Sequence, residues 1–87
     1  MNFRLQFSSG ARRDLRKLDA RIRNRIEREI ESLRENPYPR ASLKLKGVER
    51  TWRIRVGAFR VVYEVHEDLI LVTVVKVDRR SEDTYRL

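Results

Sequence analysis

Three arginines within one short segment are the residues of this sequence best suited to chemistry. Arg53, Arg55 and Arg60 stand in the run TWRIRVGAFRVVYEV, residues 51–65, whose alternation of apolar and polar side chains is typical of β-strands. A guanidinium stays charged at neutral pH, and its planar set of N–H donors can bind a phosphate through two parallel hydrogen bonds. The residue types therefore indicate a surface that binds phosphate.

The same segment predicts a hairpin that places the three arginines on one face. Gly57–Ala58 can form a two-residue type II′ turn, because glycine suits the first central position. This turn sets Arg55 opposite Arg60 and Arg53 opposite Val62, and residues directly opposite each other share a face. The other face is apolar and is expected to pack under the rest of the protein. It consists of Trp52, Ile54, Val56, Phe59, Val61 and Tyr63.

Charge composition favours a polyanionic partner for this arginine face. The chain has 21 Lys and Arg against 13 Asp and Glu, a net charge of +8. Residues 38–63 hold seven basic residues and one acid, Glu49, which is a net +6 for that stretch. Like charges opposed across strands cost on the order of 0.2–1 kcal/mol and contribute nothing to folding. An ordinary solvated sheet face is the alternative, but only Glu64 and Glu49 are near enough in sequence to pair with the arginines.

Apolar periodicity predicts the first half of one α+β domain that spans residues 1–87. Residues 3–7, FRLQF, alternate as a first strand does. Apolar residues then recur at spacings of three and four, which predicts an antiparallel pair of helices, Ser9–Leu18 and Ala20–Arg34. A serine before the first helix and Asp19 before the second are suitable N-caps.

The second half of the chain is predicted to form a three-stranded antiparallel meander. Two prolines end the helical region, and a loop leads to the strands Thr51–Val56, Phe59–His66 and Leu69–Val77. Glu67 and Asp68 are expected to join the last two strands. With the first strand, the meander makes a four-stranded sheet with both helices on one face. The last strand is almost wholly apolar, which predicts a central strand covered on both faces.

Composition excludes several classes of site. The chain has no cysteine and a single histidine, His66, so disulfide frameworks, thiolate or His-based metal sites and a Ser-His-Asp triad are not expected. No cofactor or metal is predicted, and His66 is expected to be structural. The N-terminus does not have the character of a signal peptide, and no apolar run is long enough to span a bilayer. We therefore expect a cytoplasmic protein without a membrane partner.

The C-terminal stretch VDRRSEDTYRL adds further basic side chains and a tyrosine. Arg79 and Arg80 follow the apolar strand, where the edge of a sheet would present them to a ligand. A tyrosine such as Tyr85 is more often a packing or surface residue. Beside an arginine cluster it can instead stack on a base or exchange a proton.

The whole pattern resembles the RelE toxins of the RelE/ParE superfamily. The order LKLKG, then WRIRVGAFRVVYEV, then an apolar strand that ends in VDRR and a closing Tyr-Arg, covers essentially the whole chain. The resemblance implies a RelE-like microbial RNase fold. It also implies a type II toxin that cleaves mRNA in the ribosomal A site without a metal ion, by attack of an RNA 2′-hydroxyl on the adjacent phosphate.

The resemblance also implies roles for particular residues. The positions that match the family's catalytic residues are Arg53, Arg55, Arg60, Arg80 and Tyr85. The positions to which we give an RNA-binding role are Lys44, Lys46 and Arg79, and Arg79 competes with Arg80 for the catalytic position. Arginine replaces lysine of the best-known family pattern at both second-strand positions, which leaves the general base open because arginine does not lose its proton in proteins.

The resemblance implies partners and leaves two other functions open. The expected partners are a cognate antitoxin that neutralises the toxin through an acidic or helical segment, together with the ribosome and mRNA. The free toxin is expected to be monomeric and to join a hetero-oligomer with its antitoxin. One alternative is a ParE-like inhibitor of DNA gyrase. The other is a nucleic-acid-binding module whose arginines follow a phosphate backbone without cleaving it.

Overall fold

Two helices cover one face of a five-stranded sheet in the computed structural model, which describes residues 2–79. The elements in chain order are β1 (Arg4–Phe7), α1 (Ser9–Arg16), α2 (Ala20–Ser32), β2 (Leu43–Lys44), β3 (Thr51–Val56), β4 (Phe59–His66), a 3-10 turn (Glu67–Leu69) and β5 (Leu71–Arg79). The predicted α+β class, with a strand, a helix pair and a meander in that order, is confirmed.

The sheet has the order β1-β5-β4-β3-β2 and one more strand than predicted. β1 runs parallel to β5, and all other neighbours are antiparallel. The prediction of four strands was wrong because Leu43–Lys44 pairs with β3, with Leu43 opposite Arg53 and Lys44 opposite Trp52. A strand of two residues is too short to show the alternation by which strands are recognised in a sequence.

The last strand differs from its prediction at both ends. It runs from Leu71 to Arg79 instead of Leu69–Val77, because residues 67–69 form the 3-10 turn and Ile70 follows in a left-handed conformation with φ 50°. β5 lies between β1 and β4 and is therefore an interior strand, as predicted. It is buried throughout only over Val72–Val74, so the expectation that both of its faces are covered holds for one part of the strand.

The helices begin where the sequence predicted. The Ser8 hydroxyl oxygen accepts a hydrogen bond from the Ala11 amide at 3.0 Å, and Asp19 Oδ1 accepts one from the Ile22 amide at 3.1 Å, so both residues are N-caps. Each helix ends two residues before its predicted end. Within residues 2–79, no helix is both long enough and apolar enough to span a bilayer.

Two hydrogen bonds that involve side chains attach α1 and its N-cap to β5. Ser8 Oγ donates to the Val75 carbonyl oxygen at 3.1 Å, and the Val77 amide donates to Asp14 Oδ2 at 3.0 Å. Val75 is the extra residue of a β-bulge, because the pairing of β4 with β5 skips it. A bulge leaves backbone groups outside the regular ladder, and the Ser8 hydroxyl satisfies one of them.

The core lies between the helices and the apolar face of the sheet. Its buried residues are Ala11, Leu15, Ile26, Ile30, Leu33, Ile54, Val56, Val61, Tyr63, Val65, Val72, Val74 and Val77. The helical members follow the predicted apolar stripe, and the β3 and β4 members come from the predicted apolar face. Trp52 is half-buried and packs against this core, as expected. The Tyr63 hydroxyl donates a buried hydrogen bond to the Pro37 carbonyl oxygen at 2.7 Å.

Replacement of Tyr63 by phenylalanine should destabilise the fold and change its response to alkali. Y63F leaves the Pro37 carbonyl without its buried partner, which should lower the free energy of unfolding by about 1–2 kcal/mol. Burial raises the pKa of Tyr63 to about 12, above the value of about 10 in an unfolded chain. The proton is therefore held more tightly in the folded state, and this contribution to stability is complete below pH 10 and lost as the pH rises through 12.

Denaturant titrations at pH 7 and at several values between pH 9 and 12 would measure both effects. Y38F is the matched control, because the Tyr38 hydroxyl donates its hydrogen bond to Glu67 at the surface. Equal stability losses in Y63F and Y38F at pH 7 would contradict the expectation.

Candidate functional site

The face of the sheet turned away from the helices carries the three predicted arginines, and we call it the open face. Its residues on β3, β4 and β5 include Thr51, Arg53, Arg55, Arg60, Val62, Glu64, Thr73, Lys76 and Asp78. The hairpin pairing is the predicted one, with Arg55 opposite Arg60 and Arg53 opposite Val62. Gly57 has φ 61°, as the first residue of a type II′ turn requires.

Cations occupy two adjacent rows of the open face. Arg55 and Arg60 stand side by side in the row nearest the hairpin turn, and Arg53 stands in the next row with Val62 and Lys76 beyond it. Arg55 and Lys76 are exposed, whereas Arg53 and Arg60 are half-buried. Neighbouring strands are about 4.8 Å apart, so the four cationic side chains lie close together. A single polyanionic chain laid over the face can therefore contact all of them.

A carboxylate that the sequence reasoning missed pairs with Arg60. Asp78 of β5 lies directly opposite Arg60 and accepts two hydrogen bonds, from Nε to Oδ1 at 3.1 Å and from Nη2 to Oδ2 at 2.9 Å. Lys76 Nζ lies 3.7 Å from Asp78 Oδ2. The view that only Glu64 and Glu49 were near enough to the arginines was therefore wrong. Asp78 lay one residue beyond the predicted end of the last strand, so its pairing with β4 was not considered.

The side chain of Glu64 pairs with His66, which lies on the same strand. Its Oε1 lies 3.0 Å from His66 Nε2, and Arg50 Nη1 lies 3.5 Å from His66 Nδ1. Glu64 follows Arg60 by four residues on β4, a separation of about 13 Å along an extended strand. His66 is therefore part of a polar cluster at the far end of β4 from Arg60. The structural role expected for His66 stays a prediction.

Two of the predicted RNA-binding residues do not lie on the open face. Lys44 pairs with Trp52 and therefore stands on the side of the sheet that faces the helices. Arg79 pairs with Phe59 on the same side, and its guanidinium carbon lies 5.9 Å from the centre of the Phe59 ring. Lys46 is exposed in the loop between β2 and β3. Lys44 and Arg79 thus lie on the opposite side of the sheet from the arginines, and the RNA-binding role of all three residues stays a prediction.

Arg80 and Tyr85, two of the five predicted catalytic residues, lie outside the described residues. The arrangement that can be described is therefore built from Arg53, Arg55 and Arg60. To these the structure adds Lys76 and Asp78, which the sequence analysis did not name.

An aromatic groove at the β2 end of the sheet was also not predicted. Tyr38 and Trp52 pack with ring centres 4.8 Å apart, in a groove of about 430 Å³ that Lys44, Arg50 and Glu67 also line. The Tyr38 hydroxyl donates to Glu67. Burial, followed by this hydrogen bond, raises the pKa of Tyr38 to about 12. Tyr38 is therefore protonated at neutral pH and serves there as a hydrogen-bond donor rather than as a base.

Comparison with known proteins identifies the family. Residues 5–84 match the family model described as the ParE toxin of the parDE type II toxin–antitoxin system. The chain belongs to this toxin family. The match extends over nearly all of the toxin and includes both helices and the whole meander.

Relatives of this toxin carry RelE names. A RelE-like toxin protein of Escherichia coli is 30% identical over 90 residues, which span 100% of this chain and 94% of that protein. The mRNA interferase toxin RelE of Escherichia coli K12 is 28% identical over 83 residues, 93% of this chain and 86% of that protein. The resemblance to RelE-type toxins that the sequence indicated is confirmed.

A solved structure shares the fold. One chain of the RelBE2 toxin–antitoxin complex of Mycobacterium tuberculosis superimposes on this toxin with a TM-score of 0.82 and 28% identity. The superposition covers 94% of this toxin and 95% of that chain. The common fold therefore includes the sheet that carries the open face.

If the open face binds a phosphate backbone, loss of Arg55 should change the salt dependence of RNA binding. Each cation that contacts a phosphate of a single strand contributes about 0.7 to the slope of log Kobs against log salt, so R55Q should lower that slope by about 0.7. Fluorescence anisotropy with a short single-stranded RNA at 50–200 mM salt would measure it. R28Q, which removes the same charge from the exposed surface of α2, is the matched control. Equal changes in the two variants would contradict binding at the open face.

Proposed function

We propose that this toxin is a ribosome-dependent, metal-independent endoribonuclease that cleaves mRNA in the A site. The observation that carries the proposal is the group of four cations on two adjacent rows of the open face, which are Arg53, Arg55, Arg60 and Lys76. Closely spaced cations on one face of a sheet suit the repeated phosphates of an RNA strand. The name mRNA interferase, which the E. coli RelE relative carries, supports the same reaction.

The proposed reaction is an internal transfer at phosphorus. The 2′-oxygen of one nucleotide attacks the adjacent phosphorus, the bond from phosphorus to the 5′-oxygen of the next nucleotide breaks, and a cyclic 2′,3′-phosphate and a free 5′-hydroxyl result. The 2′-hydroxyl loses a proton and the departing 5′-oxygen gains one. Negative charge develops on the phosphate oxygens during the attack, and nearby fixed cations lower the barrier by stabilising that charge.

The proposal divides the residues by what each side chain can do. Arg60 and Arg80 bind the scissile phosphate, while Arg53 and Arg55 hold the substrate and favour loss of the 2′-hydroxyl proton. None of the arginines can act as the base, since a guanidinium does not lose its proton in proteins. Tyr85 is assigned to stack on the cleaved nucleotide or to exchange protons with it.

The proposal includes an antitoxin as the partner of this toxin in a hetero-oligomer. The RelBE2 chain that shares the fold was solved in a toxin–antitoxin complex. With a net charge of +8, this toxin should attract an antitoxin with acidic patches, because complementary charges speed and orient association. We place the toxin in the cytoplasm, where ribosomes and mRNA are found.

A second function deserves a test because the matched family model carries the ParE name. In that case the toxin would inhibit DNA gyrase and leave mRNA intact. The cations of the open face would then contribute to binding rather than to cleavage.

Cleavage of ribosome-bound mRNA would test the proposal. Purified toxin added to ribosomes programmed with a defined mRNA should cut within the A-site codon, and mapping of the 5′ ends of the products would locate the cut. R60A should lower the cleavage rate by about 100-fold or more, the usual effect of removing one donor to a developing oxyanion. R28Q on α2 should cut at the wild-type rate.

Three outcomes would change the assignment. Intact mRNA together with inhibited gyrase supercoiling would favour the ParE-like function. Salt-sensitive RNA binding without any cut would favour a binding module. Full cleavage by a Y85F variant would remove the tyrosine hydroxyl from the chemistry.

A further inference from the structure

The ion pair between Arg60 and Asp78 is bidentate. The carboxylate takes one N–H from Nε and one from Nη2, at 3.1 and 2.9 Å. Two parallel bonds of this kind fix both the plane and the rotation of a guanidinium, whereas a single contact leaves it free to turn. The side chains are 42% and 27% exposed, so the pair lies at the surface with partial shielding from water.

The backbone that carries each of the two residues is held in place by contacts with neighbouring elements. Asp78 follows Val77, whose amide donates to Asp14 Oδ2 of α1 at 3.0 Å. Arg60 lies in β4, between β3 and β5, and follows the tight turn at Gly57. The carboxylate therefore meets Arg60 from a fixed position. A long, flexible arginine side chain gains a defined orientation from such a partner.

We propose that Asp78 is a positioning residue that orients the Arg60 guanidinium for the scissile phosphate. The inference rests on the proposed nuclease function and adds to it a residue that touches neither RNA nor the reacting atoms. Asp78 makes two hydrogen bonds to Arg60 and lies directly opposite it on the neighbouring strand. Phosphoryl chemistry is sensitive to such orientation, because a misplacement of about 1 Å can lower a rate by about 100-fold.

Two other roles for Asp78 predict different kinetics. A carboxylate that only competes with phosphate for Arg60 would slow the reaction, so its removal should tighten RNA binding and speed cleavage. A carboxylate that only stabilises the fold would leave the folded enzyme unchanged after its removal. Positioning instead predicts a lower kcat without a higher KM, since loss of a negative charge does not weaken the binding of RNA.

Four variants measured on programmed ribosomes would test the assignment. D78N keeps the size of the side chain and removes its charge, and it should lower kcat by about tenfold or more with a KM no higher than that of the wild type. D78E restores a carboxylate and should recover part of the loss. R60A and the double variant R60A/D78N should have equally low kcat values, because the positioning effect of Asp78 acts through Arg60.

D68N is the matched control, since it removes the same group from the exposed 3-10 turn at the far end of β4 and should cleave as the wild type does. Thermal melts would accompany each assay. Wild-type cleavage by D78N, a higher KM in D78N, or a further loss in R60A/D78N relative to R60A would overturn the positioning role alone. A wild-type toxin that does not cut ribosome-bound mRNA would overturn the nuclease function and the inference together.

Discussion

The position of β5 is the constraint on which most of this structure depends. The strand pairs along one edge with β1 and along the other with β4, and α1 with its N-cap holds it through Ser8 at Val75 and Asp14 at Val77. These attachments accommodate a bulge at Val75. Beyond the bulge the register of β5 against β4 is set, and it places Asp78 opposite Arg60. The local electrostatics of the open face follow from this register.

The open face combines a small folding cost with a high density of positive charge. Opposed like charges such as Arg55 and Arg60 cost on the order of 0.2–1 kcal/mol, and a partly exposed ion pair such as Arg60–Asp78 contributes a similar amount. The two nearly offset each other, so the arrangement is close to neutral for stability. Selection for folding alone does not explain a face with four cations, and the concentration of positive charge is of the kind that attracts polyanions.

The fold constrains the buried core residues and the charged surface residues of this toxin to different degrees. A TM-score of 0.82 at 28% identity means that most side chains differ while the backbone arrangement is retained. Cores tolerate such change when volume and apolar pattern are kept, and the helix-facing side of this sheet is a valine-rich core of that kind. The charged side chains of the open face are exposed or half-buried, so this packing constraint applies to them less and they can differ without loss of the fold.

The sequence by itself determined the elements that depend on near neighbours. The hairpin register follows from Gly57 and the alternation around it, and the helix starts follow from Ser8 and Asp19, because turn and capping chemistry act over a few residues. The tertiary structure decided the two-residue strand β2, the bulge at Val75, the Tyr38–Trp52 groove and the pairing of Asp78 with Arg60. Each of these depends on contacts between distant segments, as in the bonds from Ser8 to Val75 and from Val77 to Asp14, which join residues 67 and 63 positions apart. Local periodicity contains no information about such partners, and only the folded chain brings them together.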